Sequence, residues 1–379
     1  MHIDVRQHGK YFHQHEKHVV SPRYLREAFL AFNGGRKLSF KILVSGFGNV
    51  GRSLAKLLAW KYEDIRKQFG LEIKVVGITD SRGGVLKEDG FERSELLKLC
   101  EVPRGHLRDY SPYGHEVSTL DLLEMNIADT LVEVTPSNYE SGEPSMTHTL
   151  KALELGHHVV LAAKPPLALN FKKVMKLAKS KGIEVKYEAT VMGGTPTIHV
   201  LRGLRCYEIS NVEGILNRTT NYILAEMYEN LISFEEALSK AQTLGIAEPD
   251  PTLDVDGWDA AAKLVIAVNT LGFNLKLNEV KMESARNIAL SNVLKFRKKN
   301  MMLRQVAKFD HSRKQAEVKL EAYPSEHIFA EAGSRGLNAL TVKTGAGEVT
   351  IVGVGAGGLQ TAHSILGDII EVSEIHGSH

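Results

Sequence analysis

The densest run of ionisable side chains in the chain is Glu248-Pro249-Asp250-Pro251-Thr252-Leu253-Asp254-Val255-Asp256-Gly257-Trp258-Asp259, which passes through three alanines to Lys263. Five carboxylates and two prolines precede a helical pattern in which Asp259 and Lys263 lie four residues apart and share one face. Left in water, such a pair is a solvated ion pair contributing a few tenths of a kcal/mol. The stretch LVIAV after Lys263 is core-like, however, so its amine emerges from a largely buried helix. A desolvated lysine among carboxylates can be tuned to trade a proton with a reacting oxygen.

A second constellation is Gly46-Phe47-Gly48-Asn49-Val50-Gly51, set between the β-branched run Lys41–Ser45 and the helical pattern SLAKLLAWKYEDI. The first glycine permits a tight turn, the second lets backbone approach a pyrophosphate, and the third lets helix and strand pack closely. The helix N-terminus, with Asn49 and Val50, offers unpaired N–H groups to phosphate. A purely structural turn would use the same glycines, but the strand-turn-helix setting favours a dinucleotide. At the end of the next strand, Asp80 suits the ribose hydroxyls of NAD, whereas Arg82, with Lys87 nearby, suits the 2′-phosphate of NADP. Both coenzymes stay open.

Positioning these groups requires a scaffold that the hydrophobic pattern supplies. Strands at Lys41–Ser45, Ile73–Thr79, Thr130–Thr135, His158–Ala162 and Glu184–Tyr187 alternate with helices that include Ser145–Leu155 and Phe171–Lys181. This alternation predicts an α/β protein with a Rossmann-type, doubly wound, mainly parallel sheet. Beyond about Ala189, helices at Ser233–Leu244 and Asp256–Leu271 mix with strand-like VEGIL and AEVKLEAY, which predicts an inserted α+β unit. Near the C-terminus, TVKTGAGEVTIVGVGAGG is strand-like and glycine-rich, and TAHSILGDII reads as a helix.

Composition bounds the partners. A chain of 379 residues with 43% hydrophobic residues can bury a sizeable core in two or three domains. The 47 Lys plus Arg nearly cancel the 45 Asp plus Glu, so no basic field calls for nucleic acid or a membrane surface, and a small-molecule substrate is expected. Cys100 and Cys206 form no metal-ligand spacing and fit a reducing cytosol, hence a cytoplasmic location. No apolar run reaches the roughly 18 residues of a membrane span, and the N-terminus lacks a secretory core. His2, His8, His13, His15 and His18 read as a solvated arm, followed by a short amphipathic helix from Pro22 to Phe32 that ends at Asn33-Gly34-Gly35.

GILNRTTNYIL from Gly214 to Leu224, followed by SFEEALSKAQTLGIAEPDPTLDVDGWDAAAKL, resembles the signature region of homoserine dehydrogenases. GFGNVG, EVTPSNY, LAAKPPLA, YEATVMGGTPTI and GAGGLQTAHSILGDI resemble that family in the same order, from about Lys41 to Ile370. The resemblance implies NAD(P)-dependent interconversion of homoserine and aspartate 4-semialdehyde, in the aspartate-derived route to threonine and methionine. It implies the short, monofunctional form with no regulatory extension, acting as a homodimer. Residue by residue, Lys263 matches the catalytic lysine, and Lys164 matches a lysine reaching both nicotinamide and substrate. Glu248 and Asp259 match homoserine-binding residues, with Asp254 between them, and Thr135 matches a cofactor contact. Glu188 and the carbonyls of Val191, Gly193 and Thr195 match a site for a monovalent cation, Na+ or K+, although Glu188 could instead cap or pair locally. Gly353, Gly355 and Gly357 fall where the family's chain returns to the dinucleotide domain, so Gly355 is expected near the nicotinamide. The implied organisation is an arm over 1–37, a dinucleotide domain over 38–170, a catalytic and dimerisation domain over 171–335, and the return over 336–370.

Three positions depart from the family pattern: Arg218 stands where glycine is usual, Ala163 where asparagine is usual, and Met192 where a small residue is usual. Arg218 could clamp a substrate carboxylate through its paired donors or redirect the pocket to another compound. A dehydrogenase for a different small hydroxy or oxo acid, and a silent dinucleotide sensor, are therefore the competing readings.

Overall fold

The structure is a computed structural model that describes residues 38–376; the His-rich arm and the expected Pro22–Phe32 helix lie outside the described residues. The first sheet is built from β1 (Leu38–Ser45), β2 (Leu71–Asp80), β3 (Gly83–Leu86), β4 (Gly114–His115), β5 (Thr130–Glu133), β6 (His158–Leu161) and β7 (Val185–Lys186). Its helices are α1 (Asn49–Phe69), α2 (Arg93–Leu99), α3 (Thr119–Glu124), α4 (Ser145–Leu155) and α5 (Pro165–Lys181). The strand order is β4-β3-β2-β1-β5-β6-β7. β1, β5, β6 and β7 run parallel, while β3 and β4 add an antiparallel edge.

From β1 the chain crosses through α1 to β2 on one side, then returns to β5 on the other. Right-handed crossovers therefore put α1 on one face of the sheet and α4 and α5 on the opposite face. With both faces covered, β5 and β6 are buried almost end to end, which is why they read as continuous apolar runs. The reversal of direction at β1 and β5 opens a crevice at their C-terminal ends, where open α/β sheets bind ligands.

The rest of the chain supplies α6 (Thr197–Gly203), β8 (Ile209–Ile215), α7 (Arg218–Asn230), α8 (Phe234–Thr243), α9 (Thr252–Val255), α10 (Trp258–Thr270), β9 (Val280–Met282) and α11 (Leu290–Arg297). β10 (Met301–Asp310), β11 (Gln315–Pro324), α12 (Ile328–Ser334), β12 (Asn338–Thr344), β13 (Gly347–Gly353) and α13 (Gly358–His376) complete it. The second sheet has the order β13-β12-β8-β10-β11-β9. Ala260 to Thr270 of α10 are buried without exception, so this helix, mostly apolar apart from Lys263, Asn269 and Thr270, forms the centre of the core.

Several element boundaries differ from expectation for identifiable reasons. The helix expected over Asp256–Leu271 is α10, which starts at Trp258 because Gly257, at φ +88, separates it from the short α9 before it. α5 starts at Pro165 and not Phe171, since prolines fit the first helical positions, and it is kinked at Asn170. The segment 336–370 divides between the two halves of the fold. β12 and β13 pair within the second sheet, whereas α13 packs along α1 on the first. No helix among the described residues is long and apolar enough to cross a membrane.

Candidate active site

The glycine turn between β1 and α1 places each glycine under a different demand. At Gly46, with φ +101, a Cβ would lie 2.9 Å from both Thr135 N and Val134 O, so only glycine lets the β5 end approach. At Gly51 a Cβ would lie 2.3 Å from the Gly46 carbonyl oxygen, which excludes any side chain. At Gly48 a Cβ would meet nothing within 4 Å, so this residue borders open space. Gly48 is also the cap residue of α1, where no side chain caps the helix and no acidic residue stands in the first turn. The free N–H groups and dipole of a 21-residue helix are thus available to a phosphate, and these residues fit a dinucleotide. On the rim, Arg104 donates to Oδ1 of Asn49 at 2.7 Å and Arg82 is exposed. Asp80, half-buried, accepts the Arg82 and Leu107 N–H groups on its two oxygens.

Under the turn runs a buried polar chain that no sequence motif marks. Thr79 and Ser45 each bond the Thr119 hydroxyl, at 2.7 and 3.0 Å, and Ser45 reaches Nδ1 of His148 at 3.1 Å. His148 Nδ1 is 2.8 Å from Oε2 of Glu133, a carboxylate with no solvent exposure. The other oxygen of Glu133 accepts both the N–H and the hydroxyl of Thr135. A buried charge needs such partners to be tolerated, and here they tie the ends of β2, β1 and β5 together beneath the crevice.

Across the crevice stands the carboxylate–lysine centre. Lys263 Nζ lies 2.7 Å from Oδ2 of Asp259 and donates to the Leu216 carbonyl at 2.7 Å. Lys164, leaving β6 just before α5, places Nζ 3.3 Å from Oδ1 of the same aspartate. Asn217, the cap of α7, donates to Asp259 at 3.0 Å and to Asp254 at 2.7 Å. Thr219 donates to the second oxygen of Asp254 at 2.8 Å. Tyr139, on the loop after β5, stacks against Trp258 with ring centres 6.5 Å apart.

These contacts separate the two carboxylates. Burial pushes Asp259 up, but Lys263, Lys164 and the Asn217 amide outweigh it and hold the carboxyl well below its usual range. Asp254 moves the other way, raised by burial and then by the charge of Asp259. Lys164 is depressed by burial yet raised further by Tyr139 and Asp259, so it stays cationic at neutral pH. Burial is also the main cause that pushes the Tyr139 hydroxyl up to about 12.

Lys263, Lys164, Asp259 and Asp254 thus meet in one centre, and the glycine turn with Thr135 lines the adjoining crevice. Glu248 does not join them: it is exposed on the loop before α9, with only its carbonyl engaged, by Gln242. Three of the four residues expected to hold a cation have other partners. Both Glu188 oxygens cap α6 through the Ile198 and His199 N–H groups, and one also bonds His199 Nδ1 at 2.7 Å. The Gly193 carbonyl accepts Ser364, and that of Thr195 accepts Thr197. Glu188 thus serves as the cap of α6, and no chemistry is assigned to a cation. Met192, in the same segment, is fully buried in the left-handed region at φ +53. Arg218, at the first position of α7, is half-buried and has no hydrogen bond or ion pair among the described residues. Asn217, Tyr139 and Glu133 were missed from the sequence; for Asn217 the local signal was an asparagine immediately before a helical run.

A family model described as Homoserine dehydrogenase matches residues 196–370, and one described as Glutamate/Leucine/Phenylalanine/Valine dehydrogenase matches residues 21–134. A homoserine dehydrogenase of Methanocaldococcus jannaschii is 39% identical, over 87% of this chain and 98% of its own length. An NAD(+)-dependent homoserine dehydrogenase of Pseudomonas canavaninivorans is 34% identical, over 88% of this chain and 96% of its own. Among solved structures, a hyperthermophilic archaeal homoserine dehydrogenase in complex with NADPH superposes with a TM-score of 0.74 at 31% identity, covering 89% of this chain and 98% of that one. Similarity of this extent takes in the glycine turn, the carboxylate–lysine centre and the fold between them, and the chain belongs to the homoserine dehydrogenase family of NAD(P)-dependent oxidoreductases.

Proposed function

We propose that this protein interconverts L-homoserine and L-aspartate 4-semialdehyde with NAD or NADP. The observation that carries the reading is Asp259 holding Lys263 and Lys164 on its two oxygens, next to an uncapped glycine turn. The bound coenzyme supplies the hydride acceptor or donor at nicotinamide C4. In the oxidative direction the neutral amine of Lys263 takes the hydroxyl proton as hydride leaves the same carbon, and in the reductive direction its ammonium returns that proton to the aldehyde oxygen. Asp259 orients the lysine. Lys164, kept cationic, stabilises negative charge on the reacting oxygen without exchanging its own proton. Asp254 and Asp259 offer carboxylates to the substrate ammonium, and Arg218, without a partner among the described residues, offers paired donors to the substrate carboxylate.

The decisive experiment is absorbance at the reduced-nicotinamide band with homoserine plus NAD or NADP, beside other small hydroxy acids. Homoserine-dependent reduction is the expected result. Coenzyme binding with no homoserine signal, but reduction with another hydroxy acid, would overturn the substrate and point to Arg218. Arg82 and Arg104 on the rim support NADP, while Asp80 supports NAD, and the same assay ranks the two.

A homodimer assembled through the second sheet is part of the proposal. One face of that sheet bears a self-paired row of charges, Glu348–Lys343–Glu213–Lys308–Glu321, running from the β13 edge inward. Light scattering of the purified protein tests it. The reading places the enzyme in the cytoplasm, on the aspartate-derived route to threonine and methionine.

A further inference from the structure

We propose that Asn338 is a positioning residue for Lys263, acting through the Leu216 carbonyl that the two side chains share. The inference rests on the reading of Lys263 as the proton carrier. Leu216 lies one residue past the end of β8, and its carbonyl oxygen accepts Lys263 Nζ at 2.7 Å and Asn338 Nδ2 at 2.8 Å. A carbonyl oxygen has two lone-pair positions, and each has a donor here. The Lys263 ammonium has three N–H bonds. One is directed to Leu216 and one to Asp259, which leaves a single defined direction for a reacting oxygen. Asn338 fixes that direction by fixing the acceptor.

Its own surroundings leave Asn338 little freedom. The side chain is fully buried, and Asn221 Nδ2 reaches its Oδ1 at 3.4 Å. A Cβ on Gly355 would stand 2.0 Å from its Nδ2, so the glycine loop between β13 and α13 closes directly on this amide. The same loop runs on to Gly358, where a Cβ would lie 2.6 Å from Ser53 Oγ near the start of α1. One amide therefore sits between the loop that touches the dinucleotide turn and the carbonyl that aims the lysine.

The test is Asn338→Asp, which keeps the volume but presents an acceptor to the Leu216 carbonyl, with Asn338→Ser as a smaller, uncharged companion should the aspartate variant not fold. Loss of one aiming hydrogen bond predicts a fall in kcat of about tenfold. The alkaline or acid limb of the pH–rate profile should move, and the coenzyme Kd measured by nicotinamide fluorescence should stay within about twofold of the parent. A fall in kcat that tracks lost thermal stability, with an unmoved pH profile, would reduce Asn338 to a packing role and overturn the proposal, as would unchanged kcat in both variants. Lys263→Ala run alongside separates the two ideas. Near-normal turnover in that variant overturns the reading of Lys263 itself, whereas an inactive Lys263→Ala beside unaffected Asn338 variants overturns this inference alone.

Discussion

Nζ of Lys164 stands 3.3 Å from Oδ1 of Asp259, while Oδ2 of the same aspartate is 2.7 Å from Nζ of Lys263. One lysine comes from the end of a strand in the first sheet and the other from the central helix, so a single carboxylate joins the coenzyme crevice to the proton-exchange group. Without it, the two ammonium groups would face each other with Asp254 as the remaining counter-charge of the centre.

Asp259→Asn should therefore lower kcat/KM by at least about a hundredfold, since it removes both orientation and counter-charge. The Asp259 carboxyl is held below its unfolded value, so its stabilisation is present above roughly pH 4 and is lost only as pH falls through the lower folded value. The gap in Tm between parent and variant should accordingly stay constant from pH 5 to 8 and narrow only in stronger acid, which a thermal-melt series checks.

The glycines of the turn should separate binding from stability. Gly48→Ala puts a methyl into open space at φ −82, so Tm should hardly change while the coenzyme Kd rises about tenfold or more. Gly51→Ala drives a methyl into the Gly46 carbonyl at 2.3 Å and should cost about 2 kcal/mol or more of stability, with Tm falling before any binding effect can be read. Paired melting and coenzyme titration distinguish the two.

Glu133 offers a third test. Glu133→Ala removes the acceptor of the Thr135 N–H and leaves His148 Nδ1 with Ser45 alone, at a cost of about 1–3 kcal/mol for an unsatisfied group. Glu133→Gln keeps an acceptor and should recover much of the Tm. If Thr135 contacts the coenzyme, coenzyme KM should follow the same order: parent, glutamine, alanine.

Asp368, on α13, is pushed up to about 7, chiefly by burial, with Glu188 and Glu371 adding to it; the Glu188 N–H it accepts and Arg202 oppose the rise. The folded state thus binds this proton more tightly than the unfolded chain does. Its stabilisation is complete below about pH 4 and is lost as pH rises through about 7. Asp368→Asn should flatten the decline in Tm between pH 5 and 8 and leave the variant several degrees more stable at pH 8. A variant with the parent's slope would show that Asp368 does not carry that proton.

Local covalent and steric rules made much of this protein legible in its sequence. Glycine at 46, 48 and 51 between a β-branched run and an amphipathic run could only be a tight strand–helix turn, and the structure places all three as that geometry demands. The four-residue spacing of Asp259 and Lys263 guaranteed that they share a helical face wherever the helix went. What tertiary structure decided was which distant groups complete the site. Lys164 reaches Asp259 across 95 positions of chain, and Asn338 reaches Leu216 across 122. Neither pairing leaves a periodic trace, because side chains brought together by sheet order and helix packing have no fixed sequence separation. For the same reason Glu248, although part of the acidic run, falls outside the centre: Pro249 and Pro251 lead the chain into α9 with the Glu248 side chain in solvent. Glu188 shows the converse: its carboxylate, read along the chain as a ligand, is engaged in the fold by the start of α6 and by His199.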